Sequence, residues 1–180
     1  MISGNLRQSA GFGMLEVLIT LIIVLTGLLG LAGLLSLGQQ AEMESYQRSQ
    51  ALVLLEDMES RINANRKLAA SYAGFLAGTS APAVTCPGAT TGAIDKCQWH
   101  NALLGAAETK SGSSVGAMIG ARGCVILTAT DTYLVSVAWQ GLSPTFAPPA
   151  GLDCGKDLYG NDAQRRVVST TLRIADLDAP

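Results

Sequence analysis

The stretch Gly11-Phe12-Gly13-Met14-Leu15-Glu16-Val17 joins a polar leader to a long apolar run, and it places a glutamate where that run begins. A charged side chain near hydrocarbon costs a few kcal/mol, even on the more lenient insertion scales. A glutamate at this position therefore needs a cationic partner or a route to water. Glu16 is the first candidate functional residue of the chain.

The apolar run from Val17 to Leu37 contains no charged residue and is long enough to cross a bilayer as a helix. Apart from Glu16 at its start, Arg7 is the only charged side chain before it, whereas Glu42 and Glu44 are the first charges after it. The positive-inside rule therefore predicts a single membrane span with the N-terminus in the cytoplasm. Everything after Leu37 is expected outside the cytoplasm.

A secretory signal peptide is the alternative for residues 1–38, because Ser36-Leu37-Gly38 offers small residues at a possible cleavage site. The apolar core of an ordinary signal peptide is about 7 to 15 residues long, which is shorter than this run. Neither a signal peptide nor a simple signal anchor gives a reason for Glu16.

The overall composition argues against nucleic-acid binding. The chain has 180 residues and a formal net charge of −2, which does not suggest a nucleic-acid binder. Its high apolar fraction comes largely from the one span. The remainder has the composition of an ordinary soluble domain.

The helix is expected to continue beyond the membrane as an amphipathic stem. No glycine or proline interrupts residues 41–65, and one apolar face recurs at helical spacing. The residues of that face are Ala51, Leu54, Leu55, Met58 and Ile62. A helix from Phe12 to about Asn65 would be on the order of 80 Å long, so its outer half should pack on a head domain. The charged residues between the apolar positions are assigned to a solvated surface, and no site is placed on Glu56, Asp57, Glu59 or Arg61.

The first part of the head is expected to be loops around one short helix. Gly74 and the stretch Gly78-Thr-Ser-Ala-Pro82 should end the helical region. Asp95 is expected to cap a helix, and Lys110-Ser-Gly-Ser-Ser114 is expected to be flexible. The apolar residues that this helix should carry toward the core are Trp99, Ala102, Leu103 and Leu104.

The second part of the head is expected to be a small antiparallel sheet. Residues 124–128 and 133–139 should form a hairpin around the turn at residues 129–131, because the second run alternates between two faces. Residues 167–174 offer a third strand. The segment from Gly141 to Gln164, rich in proline and glycine, must then be a long excursion between the second and third strands.

The four cysteines lie in the part of the chain that is expected to be exported, where an oxidising compartment favours disulfides. Three pairings are possible, and the sequence alone does not choose among them. The preferred pairing joins Cys86 to Cys97 in a local loop and Cys124 to Cys154, which would attach the excursion to the first strand. A zinc site that uses Cys97 and His100 is the rival interpretation.

Enzymatic chemistry is not expected. His100 is the single histidine, and the chain has no glycine-rich phosphate loop before a helix and no nucleophile with an evident base. No catalytic residue, cofactor, metal or small-molecule substrate is therefore predicted. Trp99 and Trp139 are interpreted as core residues.

The residues around Glu16 also carry a family resemblance. Gly11-Phe12-Gly13-Met14-Leu15-Glu16-Val17 resembles the processing site of type IV prepilins and of type II secretion pseudopilins. The resemblance implies that a prepilin peptidase cuts between Gly11 and Phe12 on the cytoplasmic face and methylates the new amine of Phe12. It also implies a pilin-like α+β fold, in which a long N-terminal helix packs on a small antiparallel sheet.

Physical chemistry then suggests a partner for Glu16. In a stack of parallel helices, the cationic amine of an incoming subunit can meet the glutamate of a subunit that is already assembled. Such a pair would set the axial register of the assembly. The alternative is a glutamate that extends to the membrane interface without any partner. The domains implied are a leader at 1–11, a transmembrane helix half at 12–38, an amphipathic stem at 39–74 and a periplasmic or extracellular head at 75–180.

The head resembles minor pilins of the PilV type, the type IV pilus modification proteins. The resemblance rests on the long stem, on Asp95, Trp99 and Leu103, and on the stretches at residues 123–125 and 137–141. It implies a subunit that joins other minor pilins and the major pilin and primes pilus assembly at the tip. It places the chain in the bacterial inner membrane before assembly and in the pilus afterwards, with roles in twitching motility and adhesion. A minor pseudopilin of a type II secretion system and a membrane-anchored periplasmic enzyme are the alternatives.

Overall fold

A computed structural model describes residues 13–106, 109–114 and 118–175 of the protein. The chain divides into two compact units, Met1–Glu42 and Met43–Pro180. Its architecture is α+β, with a long N-terminal helix followed by a small antiparallel sheet, as predicted. The regular elements are α1 (Met14–Ala64), β1 (Phe75–Ala77), α2 (Thr91–Leu103), β2 (Thr109–Lys110), β3 (Ser113–Ser114), β4 (Arg122–Ala129), β5 (Thr132–Gln140) and β6 (Arg165–Arg173).

Helix α1 ends within one residue of its predicted end. Asn65 leaves the helical backbone conformation, with φ −108° and ψ 36°, and a short 3-10 helix follows over Arg66–Tyr72. The predicted apolar face of the second half of α1 is buried in the core of the head, with Leu54 partly buried beside it. This confirms the amphipathic stem. The buried members of the face are Ala51, Leu55, Met58 and Ile62.

Helix α2 begins four residues before the predicted cap, so the prediction for Asp95 is wrong. The N-cap is Thr90, whose hydroxyl accepts a hydrogen bond from the amide of Ala93 at 3.3 Å. Asp95 lies inside the helix and is buried. An acidic residue near a helix start can serve either as a cap or as a member of an ion pair. Because the hydroxyl of Thr90 already caps this helix, Asp95 is available for the ion pair.

The main sheet has four antiparallel strands in the order β1-β4-β5-β6. The predicted hairpin is formed by β4 and β5, and the predicted third strand is β6. Strand β1 was not predicted, and it pairs with β4 at the edge of the sheet. The stretch that was predicted to be flexible instead contributes to a second, two-stranded sheet, in which β2 pairs with β3. The turn between them, Ser111 and Gly112, takes positive φ values of 53° and 83°.

The core of the head lies between the sheet and the two helices. Alternate residues of β5 point into it, and the indole of Trp99 is completely buried. The Trp99 Nε1 donates a hydrogen bond to the carbonyl of Leu54 at 2.7 Å, which ties α2 to α1. Trp139 is also buried, so both tryptophans are core residues as predicted. The core-facing residues of β5 are Tyr133, Val135, Val137 and Trp139.

Replacing Gly123 with alanine is expected to destabilise the head by about 1 to 3 kcal/mol, because it overpacks the core. A Cβ at this position would lie 2.6 Å from Leu103 Cδ1 and even closer to the ring of Trp99. Neither side chain can withdraw, since both are fully buried. Denaturant unfolding of the full-length protein in detergent measures the effect. Gly38→Ala is the control, because a methyl group added there would meet nothing within 4 Å, and equal stability of the two variants would contradict the prediction.

Candidate assembly site

The first predicted site residues, Gly11 and Phe12, lie outside the described residues. The described residues start at Gly13. The carbonyl of Gly13 accepts a hydrogen bond from the amide of Glu16 at 2.9 Å, which is the first hydrogen bond of the helix. Glu16 therefore lies in the first turn of α1, and its side chain is exposed. A carboxylate in the first turn is favoured by the partial positive charge at a helix N-terminus.

The surface around Glu16 is apolar and uncovered. Every residue from 13 to 43 is exposed, and α1 contains a window with a mean hydropathy of 2.6. Within the described residues, α1 is the one helix that is long and apolar enough to cross a membrane. Large aliphatic side chains that remain more than half exposed need a cover from outside the chain, either lipid or other helices. They include Leu15, Leu18, Ile23, Leu29, Leu34 and Leu37.

The two threonine hydroxyls of this apolar segment are satisfied within the helix itself. The hydroxyl of Thr20 donates to the carbonyl of Val17 at 2.9 Å, and that of Thr26 donates to the carbonyl of Ile23 at 2.9 Å. These bonds lower the cost of placing both hydroxyls in hydrocarbon. Glu16 is different, because no hydrogen bond or ion pair to its carboxylate is found among residues 13–106, 109–114 and 118–175. A cation is the partner that this carboxylate can accept.

The cysteines pair as the sequence analysis preferred. One disulfide joins Cys86 to Cys97 and the other joins Cys124 to Cys154. The rival zinc site is therefore wrong, since Cys97 is bonded to another sulfur atom. The Nδ1 of His100 instead accepts the amide of Gly78 at 3.0 Å, which helps to hold the loop after β1.

Removal of the second disulfide is expected to destabilise the head more than removal of the first. The closed loops span 11 and 30 residues, so the chain-entropy model gives losses of about 3 and about 4 kcal/mol. The paired variants are Cys86→Ala with Cys97→Ala and Cys124→Ala with Cys154→Ala, compared by denaturant unfolding. Peptide mapping without reductant checks the pairing, and free thiols in the exported wild-type protein would contradict it.

A buried arginine fixes the excursion beside its disulfide. Arg165 is 2% exposed and donates to the carboxylate of Asp162 and to the carbonyls of Leu152 and Cys154. The hydrogen bond from Arg165 lowers the pKa of Asp162. Tyr159 also contacts this region, and burial raises its pKa to about 12, so its hydroxyl stays protonated as a donor to Gly120. Sequence reasoning missed this arginine because its partners lie in irregular loops.

The assignment of Arg61 to a solvated surface is wrong. Arg61 pairs with Asp57 at 3.0 Å and with Asp95 at 3.1 Å, and it is only partly exposed. Burial lowers the pKa of Arg61, but the hydrogen bonds and charges of both aspartates outweigh it and leave the pKa raised. The hydroxyl of Tyr72 donates to Asp95 at 2.5 Å, and burial and this hydrogen bond raise the pKa of the phenol. The cluster joins α1 to α2, and a spacing signal of i, i+4 between Asp57 and Arg61 could have revealed part of it.

Among the described residues of the head, one cleft of about 310 Å³ lies beside Arg61 and another of the same volume lies beside Glu44. The first is lined by the Arg61 and Asp95 pair, and the second by Glu44, which pairs with Arg166 at 3.3 Å. The charges of Arg61 and Asp95 therefore neutralise one another, whereas the second cleft is also lined by Arg48 and holds more positive than negative charge. Neither lining includes a histidine or a cysteine.

Comparison of the chain with protein-family models, with curated proteins and with solved structures finds no match. The functional assignment therefore rests on the residues and contacts described above.

Proposed function

We propose that the protein is a minor pilin, a structural subunit that primes assembly of a type IV pilus at its tip. The observation that supports this proposal is the uncovered apolar half of α1, which begins with the carboxylate of Glu16 and continues without interruption into the core of a disulfide-bonded head. A catalytic role has no comparable support. Such a subunit would promote twitching motility and adhesion through the pilus that it helps to build.

The proposed mechanism begins with processing. The prepilin peptidase removes residues 1–11 in the inner membrane and methylates the amine of Phe12, which remains cationic. The apolar half of α1 holds the subunit in the membrane until assembly. The two disulfides form after the head is exported to the oxidising side.

During assembly, contacts between the apolar half of α1 and lipid are replaced by contacts with other helices. The apolar side chains around Glu16 become covered by the helices of other minor pilins and of the major pilin. The Phe12 amine of one subunit neutralises the Glu16 carboxylate of its neighbour, which offsets the cost of keeping a charge in an apolar environment. Aliphatic contacts are tolerant of axial sliding, whereas the ion pair is formed at one axial position only. The ion pair therefore selects the register.

Deletion of the protein tests the proposal at the level of the cell. The expected result is loss of surface pili and of twitching motility, with normal secretion of exoproteins. Complementation with the wild-type chain should restore both. Loss of secretion with normal pili would overturn the pilus assignment in favour of a secretion pseudopilus.

A further inference from the structure

Strand β6 forms one edge of the sheet and has hydrogen-bonding groups that face away from it. At one end of the β5–β6 pair, the amide of Gly141 donates to the carbonyl of Gln164 at 2.7 Å; at the other end, the amide of Ile174 donates to the carbonyl of Asp131 at 2.8 Å. The register between these ends is regular, without a bulge. Because hydrogen-bonded pairs alternate in an antiparallel ladder, these two bonds fix the direction of every backbone group of β6.

Apart from Arg165, whose amide donates to the carbonyl of Asp162, the alternation divides β6 into two sets of residues. The set bonded to β5 is Arg166, Val168, Thr170 and Leu172. The other set points its N–H and C=O groups outward, and no backbone or side-chain partner for those groups is found among the described residues. We call this set the outer edge of β6. It consists of Val167, Ser169, Thr171 and Arg173, and it spans on the order of 20 Å.

Strand β1, at the opposite edge of the sheet, is protected. Strand β1 has only three residues and is flanked by Gly74 and Gly78, both with positive φ. The loop that follows is bound to α2, since the side chain of Asn101 makes two hydrogen bonds of 2.8 Å with the backbone of Ala83. Proteins usually shorten, bend or cover their edge strands because free edges attract other strands. Strand β6 has nine residues with no proline, glycine or bulge, and so lacks this protection.

The charge of β6 indicates what kind of strand can pair with it. It contains three arginines and no carboxylate. Arg165 is neutralised by Asp162 and Arg166 by Glu44, whereas Arg173 is exposed and has no ion pair among the described residues. Pairing of β6 with β6 of a second copy in full antiparallel register would place Arg173 opposite Arg165 and would therefore give Arg173 no carboxylate partner. A strand with a carboxylate opposite Arg173 is favoured instead.

The two faces of β6 specify the rest of the partner. Val168 is partly buried and packs against the core of the head, so an added strand would extend the core next to it. On the other face, Ser169 and Thr171 are exposed and would have polar neighbours. An alternating apolar and polar segment of about seven residues therefore fits the edge.

We propose that the outer edge of β6 binds an extended, acidic segment of a neighbouring subunit, which adds a fifth strand to the main sheet. Main-chain hydrogen bonds hold the added strand, and Arg173 selects its register through a carboxylate. The proposal rests on the proposed function in one respect, because the neighbour is taken to be another pilin-type subunit.

Residue-resolved hydrogen exchange tests this proposal. The full-length protein is compared in detergent micelles, purified alone, and in the pilus or cell-envelope fraction in which it occurs natively. Exchange at the outer edge of β6 is expected to slow at least tenfold in the native fraction. The amides of Val168 and Thr170 are internal controls, since their bonds to β5 protect them in both samples. Equal exchange of the edge amides in both samples would overturn the proposal.

A pair of substitutions separates pairing from folding. Thr171→Pro removes an outward N–H and leaves the bonds to β5 in place, whereas Thr171→Val keeps the N–H. The proline variant is expected to lose at least tenfold in recovery of neighbouring subunits after crosslinking and purification, at an unchanged membrane level and with both disulfides formed. The valine variant should match the wild type. Equal recovery of both variants counts against the added strand.

The charge has its own test. Arg173→Glu is expected to reduce recovery of neighbouring subunits about tenfold, and Arg173→Lys is expected to retain it. Lys110→Glu, which reverses another exposed charge, is the control. If the protein is absent from pili, the proposed function fails, but exchange in the cell envelope still decides whether the outer edge of β6 is paired.

Discussion

Replacing Glu16 with glutamine is expected to remove the protein almost completely from sheared pilus fractions, while its level in the membrane stays unchanged. Glutamine keeps the size and hydrogen-bonding capacity of the side chain but removes the charge that a cationic amine requires. Insertion should persist, because the apolar surface that follows Glu16 is untouched. Glu16→Ala should give nearly the same result.

The measurement needs a strain that lacks the native copy and makes equal membrane levels of each variant. Immunoblots of sheared pili and of membranes then report assembly and insertion separately. Glu16→Asp is a matched control that keeps the charge on a shorter side chain, and it should retain more assembly than glutamine. Wild-type incorporation of Glu16→Gln would show that the carboxylate has no partner and simply extends to the membrane interface.

Replacing Gly11 with leucine is expected to leave the protein as an uncleaved precursor in the membrane. The physical reason is steric, since the family resemblance implies a peptidase that accepts only a small residue before the cut. Without cleavage, no amine forms at Phe12, so assembly should fail as well. Gly11→Ala is the control and should retain more cleavage.

N-terminal sequencing of the wild-type membrane form checks the processing site directly. The mature chain should begin at Phe12 and carry a methylated amine. A mature chain that starts at Gln39 would instead identify a secretory signal peptide and would refute the prepilin interpretation.

The long helix and the central hairpin could be predicted because their signals are repeated along the sequence. The apolar face of α1 recurs over several turns, and the alternation in β5 recurs over the whole strand. Repetition averages out the effect of any one residue. Strand β1 offers no such repetition, since Phe75, Leu76 and Ala77 are too few to show a period.

The misinterpretation of Asp95 and Arg61 has a different physical origin. An aspartate near a helix start fits either a helix cap or an ion pair, and an arginine on a helix fits either a solvated surface or an ion pair. The neighbouring sequence does not distinguish these environments. The choice depends on Tyr72 and on the packing of α2 against α1, which brings together residues that are 34 positions apart. Only the tertiary structure reveals such a contact.

At the candidate assembly site, the sequence identifies the residue but not its partner. Glu16 could be singled out from the sequence because a carboxylate at the start of an apolar run is energetically costly. Its partner could not be located in the structure of one chain, because the proposed partner belongs to another molecule. The outer edge of β6 could not be predicted either, since the direction of each amide depends on its register with β5.

In the proposed export of the head, the distant contact between Glu44 and Arg166 has a consequence for the order of folding events. These residues are separated by 122 positions, and the core also requires β5 and β6 to pair. Contacts so remote in sequence form slowly, because a long loop must close before they can form. The loop between Cys86 and Cys97 spans only 11 residues and can be oxidised while the rest of the chain is still crossing the membrane. On this proposal the head can gain its first covalent crosslink before it has a core, and it reaches its native fold only after its last strand has been translocated.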